Sequence, residues 1–395
     1  MHKKKIIIFL TQPIDERNIQ RFGYKLLKKN FDVKFCNISD VFNKNIIKAY
    51  KKNYINNPTD NKNFFEFNSY FQIFNLLKDC KKAYFVDSTT YKTVFFSLLQ
   101  QYAILNKLKK IHITSCFLPK EIFASKKKKL AYFFKKKNFL RKNIVKFIFN
   151  YLKVKFVNIL SPAPNFAFIA GLKEVNSYPK RTRILLSHCF DYDLFLKENE
   201  KKLLLSKNKF ALFIDALTFD HPELSFKKNN KKNPFEKKYY ADLKIFFYNI
   251  HKEFNINITI ALHPRSNIHH KKKINKIFTE KYFLIIDNDT PKYIKNSSLV
   301  ISHNSSAIQL AILWKKPIIF CHHNKMNNYI KTYVSGLASA LKKKSYDIEN
   351  NKFTILKKDF NVIDKNYKNY TKNYIQSSPK SKISSWDKFS SMFKN

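Results

Sequence analysis

The chain has 395 residues, of which 44% are hydrophobic and only three are glycine, and its formal net charge at pH 7 is +48. This length and apolar content suffice for two folded domains and exclude wholesale disorder. Gly23, Gly171 and Gly336 stand alone, which excludes the glycine-rich phosphate loops GxxxxGKS/T and GxGxxG.

The first half alternates strand-like and helix-like segments, which is typical of a parallel, doubly wound sheet. Residues 6–10 form a continuous apolar run, the pattern of a strand buried on both faces. Further strands are predicted at 32–37, 83–87 and 111–115, and helices at 19–29, 70–77 and 90–105.

Residues 125–155 break this alternation with lysine clusters between aromatic and aliphatic residues. Such a basic amphipathic stretch suits the surface of an anionic bilayer. A surface hairpin whose aromatic side chains pack on the domain explains the pattern equally well. Residues 153–160 are predicted as a strand.

Residues 161–200 form a junction that contains three prolines, a predicted strand at 183–187 and the polar run 188–193. We expect His188, Asp191 and Asp193 to line the floor of a cleft between two domains. The second half then restarts the alternation. Strands are predicted at 210–215, 256–262, 282–287, 299–302 and 317–321, and helices at 239–254, 274–279, 291–296 and 305–314.

Two Rossmann-like domains in tandem, neither with a glycine fingerprint, form the GT-B arrangement. The predicted fold class is therefore α/β, with two doubly wound domains that face a cleft. We expect a first domain at residues 1–200 with the insertion 125–155, a second domain at 201–345, and a tail at 346–395 that wraps back or frays.

Charge and cysteine usage indicate where the protein works. The net charge of +48 requires a polyanionic neighbour, which is a phosphorylated substrate, an anionic membrane surface or nucleic acid. Five scattered cysteines without a CxxC pair indicate reduced thiols. No apolar run reaches the roughly 20 residues of a membrane span, so we expect a cytoplasmic protein peripherally associated with the inner membrane.

Two polar motifs follow predicted strands of the second domain. His263, Arg265 and Ser266 stand where a buried strand ends, and His and Arg together suit a phosphate or diphosphate. The second motif follows the strand at 299–302, and its candidate donor-binding residues are His303, Asn304, Ser305 and Ser306. Ser305 or Ser306 is expected to cap the next helix, whose N-terminus attracts anions. Plain capping without a ligand is the alternative.

Several carboxylates are candidates for a catalytic base. Asp15 and Glu16 follow the first strand, Asp87 ends another strand of the first domain, and Asp215 ends the first strand of the second domain. Taken singly, each is better explained as a solvated loop residue or a helix cap. The pairs 269–270 and 322–323 are adjacent histidines without ligand spacing, so no metal site is predicted.

The His-Pro and Ser-Ser motifs, within ALHPRS (261–266) and SLVISHNSSAIQLAILWKKPIIF (298–320), resemble bacterial sialyltransferase and polysialyltransferase families. They also resemble glycosyltransferases of capsule and lipopolysaccharide gene clusters. The resemblance, over about residues 209–322, implies that His263 contacts the donor phosphate and that Ser305 and Ser306 bind near it. The families' acidic motif ending in Gly has no counterpart here, so the resemblance assigns no base.

The resemblance implies a glycosyltransferase whose second domain binds the donor and whose first domain binds the acceptor. The implied donor is a CMP-activated, sialic-acid-like nonulosonate, and the acceptor is a hydroxyl of a cell-surface glycan or glycolipid. No cofactor beyond the nucleotide sugar and no metal is expected. The alternatives are a UDP- or GDP-sugar GT-B transferase or a sugar epimerase of the same fold. A basic nucleic-acid-binding protein is the remoter alternative.

Overall fold

The computed structural model describes most of the chain. The described residues are 3–12, 14–42, 62–80, 82–89, 93–113, 118–120, 141–201, 209–220, 234–349, 354–376 and 383–393.

The N-terminal sheet has seven parallel strands. They are β1 (Lys4–Leu10), β2 (Phe31–Asn37), β3 (Phe64–Glu66), β4 (Tyr84–Ser88), β5 (Lys109–Ile113), β6 (Phe166–Ile169) and β7 (Arg183–Leu186). Their order is β3-β2-β1-β4-β5-β6-β7. The central residues of β1, Ile6, Ile7 and Ile8, are fully buried, because helices cover both faces of the sheet.

The C-terminal sheet has six parallel strands. They are β8 (Phe210–Ile214), β9 (Asn257–Ala261), β10 (Phe283–Ile286), β11 (Leu299–Ser302), β12 (Ile318–His322) and β13 (Ser345–Asp347). Their order is β10-β9-β8-β11-β12-β13. The chain reverses its winding direction between β8 and β11, which is the position where doubly wound sheets bind ligands.

Helices connect these strands along the chain. The described α-helices are α1 (Glu16–Arg21), α2 (Tyr24–Asn30), α3 (Ser39–Phe42), α4 (Tyr70–Lys78), α5 (Val94–Leu105), α6 (Arg141–Leu160), α7 (Phe190–Asn199), α8 (Glu236–Phe254), α9 (Ile268–Ile277), α10 (Thr290–Asn296), α11 (Ile308–Leu313), α12 (Asn328–Ala340), α13 (Asp364–Tyr370) and α14 (Ser385–Phe393). Short 3₁₀-helices at Leu172–Ser177 and Lys357–Phe360 and a π-helix at Thr371–Ile375 complete the set. Within the described ranges, no helix has the length and apolar content to cross a membrane.

Residues 153–160 are helical, which corrects the predicted strand. Lys153, Val154, Lys155 and Phe156 alternate with the period of a strand, but they form the second half of the long helix α6. The helix ends just before Pro162, and the unpredicted strand β6 follows. Of the predicted membrane stretch 125–155, residues 125–140 lie outside the described residues.

The C-terminal tail returns to the first domain, one of the two expected outcomes. Trp386, Phe389 and Phe393 of α14 are buried in the core that β1 and β2 form. The indole Nε1–H of Trp386 donates to the carbonyl of Arg21 over 2.9 Å. Gly23 lies against the same indole with φ +58°, and a Cβ there would overlap Trp386, so only glycine fits. No observation fixes the domain boundaries at 200 and 345, which stay predictions.

Candidate functional site

A cleft of about 650 Å³ lies between the two sheets. Helix α1 and the start of α7 form one wall, and the loops after β8, β9 and β11 form the other. Arg265 of the loop after β9 donates from Nη2 to Gln12 Oε1, just beyond β1, so the two domains touch at the rim of the cleft. The cleft therefore contains the switch point between β8 and β11.

His263 lines the cleft, and its local contacts fix which ring nitrogen carries the hydrogen. Its Nδ1 accepts the backbone N–H of Arg265 over 3.0 Å. In a neutral imidazole the other nitrogen, Nε2, then carries the hydrogen and acts as the donor. His263 is therefore suited to donate a hydrogen bond to an anion without itself being charged.

Asn304, Ser305 and Ser306 line the same cleft as His263. β8 lies between β9 and β11, the strands that carry the two motifs, so one strand separates the motifs. Among the described residues, Asn304 Oδ1 is buried without a hydrogen-bond donor. The cleft therefore has an acceptor suited to a ligand hydroxyl or N–H group.

The two serines do not cap the next helix, which corrects that prediction. Helix α11 begins at Ile308, its N-cap is Ala307, and no side chain caps it. Ser305 Oγ instead accepts the backbone N–H of Ala307 over 3.3 Å. The serines consequently belong to the cleft surface and contribute little to helix stability.

His303 lies in the core, which corrects its assignment to donor binding. Its Nδ1 donates to the Cys321 carbonyl over 2.6 Å, and its Nε2 accepts the Tyr239 hydroxyl over 2.9 Å. Burial lowers the pKa of His303 to about 4, so the ring is neutral. Arg265 and Ser266 are not among the residues that line the cleft, although Arg265 lies at its rim.

Asp215 lines the cleft as the centre of a buried charge cluster. Its Oδ2 accepts His270 Nε2 over 2.8 Å, and His270 Nδ1 contacts Asp220 Oδ2 over 2.7 Å. Burial opposes charge on both partners, but the hydrogen bonds prevail: the pKa of Asp215 falls and that of His270 rises to about 9. Asp215 is a fixed anion, which argues against the predicted role as a base.

The other predicted carboxylates are also engaged. Asp15 caps α1 by accepting the N–H of Asn18 over 2.7 Å, and it does not line the cleft. Asp87 accepts from Gln100 Nε2 over 2.7 Å and lies 3.5 Å from Lys110 Nζ. Burial opposes its ionisation, yet Lys110 and the hydrogen bonds lower its pKa. These contacts favour a structural role for both residues, although Asp87 also lines the second cavity described below, and their assignment as bases stays a prediction.

Asp191 is the carboxylate best placed for acid–base chemistry. It lines the cleft in the first turn of α7. Burial raises its pKa to about 6, although Arg21 and Arg17 act in the opposite direction. Such a pKa lets a carboxyl group exchange a proton near neutral pH. Asp193, also in the lining, is instead bonded to His188 over 2.8 Å.

Three arginines meet at the cleft, and only Arg265 was among the predicted site residues. Only six of the 76 Lys and Arg residues are arginine, and Arg17 and Arg21 line the cleft while Arg265 stands at its rim. Burial and the positive charges of Arg265 and Arg21 lower the pKa of Arg17 to about 10. The rarity of arginine was the available signal, because arginine clamps phosphates bidentately.

A second cavity of about 610 Å³ lies in the first domain. Lys110, His112, Tyr178 and Arg181 line it, together with Ile159 from the end of α6. His112 Nδ1 contacts the Tyr178 hydroxyl over 2.5 Å. The cavity offers cationic and hydroxyl groups beside an apolar wall.

The sequence matches no protein-family model and no curated protein. The fold, however, is similar to solved structures. The UDP-GlcNAc 2-epimerase of Methanocaldococcus jannaschii, in complex with UDP-GlcNAc and UDP, has a TM-score of 0.50 at 12% identity over 98% of this chain and 99% of that chain. A UDP co-structure of S. aureus MnaA has a TM-score of 0.50 at 12% identity, covering 94% and 91% of the two chains.

A putative UDP-N-acetylglucosamine 2-epimerase from Listeria monocytogenes also has a TM-score of 0.50, at 10% identity, covering 100% and 98% of the two chains. With its two parallel sheets of seven and six strands, the chain has the predicted α/β GT-B fold. At such identities the likeness establishes the fold alone.

Proposed function

We propose that this chain is a UDP-sugar-dependent GT-B enzyme that transfers the sugar to an acceptor hydroxyl. The observation that carries the proposal is the convergence of Arg17, Arg21 and Arg265 at the switch-point cleft of a lysine-rich protein. Burial lowers the pKa of Arg17, and the positive charges of Arg265 and Arg21 lower it further, so these guanidinium groups repel one another. A diphosphate would bind between them and reverse that repulsion.

A UDP-sugar is the better-supported donor, and the CMP-nonulosonate reading has no further support. A CMP-sugar carries one phosphate and a UDP-sugar carries two, and the cleft supplies several cations in addition to the donor His263. Two of the similar structures named above contain UDP. The His-Pro and Ser-Ser motifs suit either phosphate group, so they do not discriminate.

In the proposed reaction the acceptor oxygen bonds to the anomeric carbon while the bond from that carbon to the diphosphate oxygen breaks. His263 Nε2–H, Arg17 and Arg21 stabilise the charge that develops on the departing diphosphate. Asp191 accepts the proton of the acceptor hydroxyl, for which its pKa of about 6 is suited. The Asp215–His270 pair holds the loop after β8 in place.

The acceptor, in this proposal, approaches from the first domain, where the second cavity has room for a sugar-sized group. No metal is required, because the arginines neutralise the diphosphate. Addition of EDTA should therefore leave turnover unchanged, whereas a loss of activity that Mg²⁺ restores would contradict this part of the proposal.

A UDP-sugar epimerase is the second candidate, because the similar structures named above include epimerases. The same cleft would bind the nucleotide, and Asp191 would move a proton within the sugar itself. The two reactions differ in whether a free acceptor is consumed.

The decisive experiment is a thermal-shift comparison of UDP, CMP, GDP and UDP-GlcNAc with the purified chain. UDP at 100 times its Kd should raise the free energy of unfolding by about 2.7 kcal/mol. A larger shift with CMP than with UDP would restore the CMP-sugar reading. Analysis of UDP-GlcNAc incubations then separates transfer, which releases UDP with an acceptor, from epimerisation, which yields a new UDP-sugar without one.

A further inference from the structure

Exposed apolar side chains are concentrated on three adjacent helices of the first domain. Of the 21 exposed large hydrophobic residues in the described part of the chain, nine lie on α4, α5 and α6. They are Phe71, Phe95, Leu98, Leu105, Phe149, Leu152, Val154, Phe156 and Ile159, which we call the helical apolar face. Contiguous exposed apolar surface of this kind marks an interaction site.

Side-chain contacts join the three helices into one surface. Phe95 of α5 lies 5.4 Å from Tyr70 of α4, and Tyr102 lies 4.8 Å from Phe74 between ring centroids. Gln101 of α5 donates from Nε2 to the carbonyl of Leu160 at the end of α6, over 2.9 Å. The three helices that carry the helical apolar face therefore pack against one another.

The charged residues of these three helices are all positive. α4, α5 and α6 contain no Asp or Glu. Their basic residues are Lys78, Arg141, Lys142, Lys146, Lys153 and Lys155. Lys153 and Lys155 stand beside exposed Leu152, Val154 and Phe156, so that ammonium groups surround apolar side chains.

We propose that the helical apolar face lies on an anionic lipid bilayer. Apolar and aromatic side chains enter the boundary between headgroups and acyl chains, while lysines at the same surface pair with anionic headgroups. A nucleic acid would satisfy the lysines but leave the apolar side chains in water, so the lipid surface fits both properties. The proposal that a bilayer binds this face uses no observation about the cleft.

The position of the helical apolar face also narrows the class of acceptor molecule, an inference that rests on the proposed function. Ile159 belongs to the helical apolar face and also lines the second cavity of the first domain. A bilayer against α6 therefore adjoins that cavity. An acceptor with an apolar anchor can stay in the membrane while its polar group enters the cavity beside Lys110 and Arg181.

Flotation of the full chain with vesicles tests the proposal. The chain should bind vesicles of phosphatidylcholine with 30 mol% phosphatidylglycerol and should not bind vesicles of pure phosphatidylcholine. Binding should weaken as the salt concentration rises, because salt screens surface charges. The double variant Leu152→Glu/Phe156→Glu should bind at least tenfold more weakly. The matched control Ile245→Glu/Tyr248→Glu changes two exposed residues of α8 by the same charge and should bind like the parent.

Three results would overturn the proposal: no binding of the parent, equal binding to neutral vesicles, or equal losses in both double variants. A parent that dimerises through this face, with dimerisation abolished in the α6 variant, would assign the face to a second copy instead. UDP-induced thermal stabilisation of the same variants reports on the cleft. Failure of UDP to stabilise the parent would count against the proposed function while leaving the flotation result intact.

Discussion

His270 Nε2 and Asp215 Oδ2 lie 2.8 Å apart beneath the cleft, both almost fully buried. The folded protein holds a proton on His270 up to a pKa of about 9, whereas the unfolded chain releases it near 6.5. Stability from this pair is therefore complete below pH 6.5 and is lost as the pH rises through 9. The free energy of unfolding should fall by about 3 kcal/mol over this window.

Denaturant unfolding at several pH values measures that loss. His270→Gln should flatten the profile between pH 6.5 and 9 and destabilise the protein by about 3–5 kcal/mol, because Asp215 loses its buried partner. His269→Gln, at the exposed neighbouring position, is the control and should retain the parent profile. A parent whose stability does not change over this range would show that His270 is not charged.

Arg17→Gln should weaken UDP binding by about ten- to a hundredfold, since charged hydrogen bonds contribute about 1.5–3 kcal/mol. The same change should raise the stability of the protein without nucleotide, because it removes a half-buried cation beside Arg21 and Arg265. Calorimetric titration with UDP and thermal unfolding give the two readouts. The control Arg183→Gln, at an exposed position of β7, should change neither UDP binding nor stability. If Arg17→Gln loses both UDP binding and stability, Arg17 has a structural role.

Asp191→Asn should reduce turnover by about a hundredfold or more, the range of general acid–base catalysis. In the parent, kcat/KM should rise with pH through the pKa of about 6, as the carboxyl loses its proton and becomes a base. The variant should lack this limb of the pH profile. Glu200→Gln, at an exposed position after the same helix, serves as the control. An unchanged limb in the variant would exclude Asp191 as the base.

His263 and His303 provide a contrast between a cleft residue and a core residue. His263→Ala should lower turnover by about ten- to a hundredfold with the fold intact. Ser305→Ala with Ser306→Ala should act similarly and cost little stability, because neither serine caps α11. His303→Ala should instead destabilise the protein by about 2–4 kcal/mol, since the buried Tyr239 hydroxyl loses its partner. Circular dichroism melts alongside activity separate the two classes.

Sequence periodicity predicted the two sheets because their strands are buried on both faces and read as apolar runs, such as Ile6–Ile8 in β1. It failed at α6, where Val154 and Phe156 alternate with lysines although the segment is helical. In α6 apolar side chains lie on the exposed side as well as at buried Val157, which obscures the helical period.

The candidate site was predictable only in part. His263 and the serine pair stand directly after strands, so their position at the sheet edge followed from the strand pattern. His303 occupies the same motif, yet its side chain turns inward to Cys321, which no motif reveals. Arg17 and Arg21 come from the other domain, and their approach to the cleft depends on how the two domains pack.

Trp386 links the C-terminal tail to the wall of the cleft. Its indole packs against Phe22 and Phe190 and bonds to the Arg21 carbonyl, so it supports the helix that carries Arg17 and Arg21. Trp386→Ala should cost about 3–5 kcal/mol of stability, the range for large buried aromatics. Trp386→Phe, which keeps most of the packing but loses the hydrogen bond, should cost less.

Both variants should also weaken UDP binding, Trp386→Ala more than Trp386→Phe. The reason is that a less firmly packed α1 no longer holds Arg17 and Arg21 toward the cleft. Met392→Ala, at an exposed position of α14, is the control for both measurements. If Trp386→Ala lowers stability but leaves the Kd for UDP unchanged, the tail stabilises the first domain without positioning the arginines. The proposed diphosphate site would then depend on α1 alone.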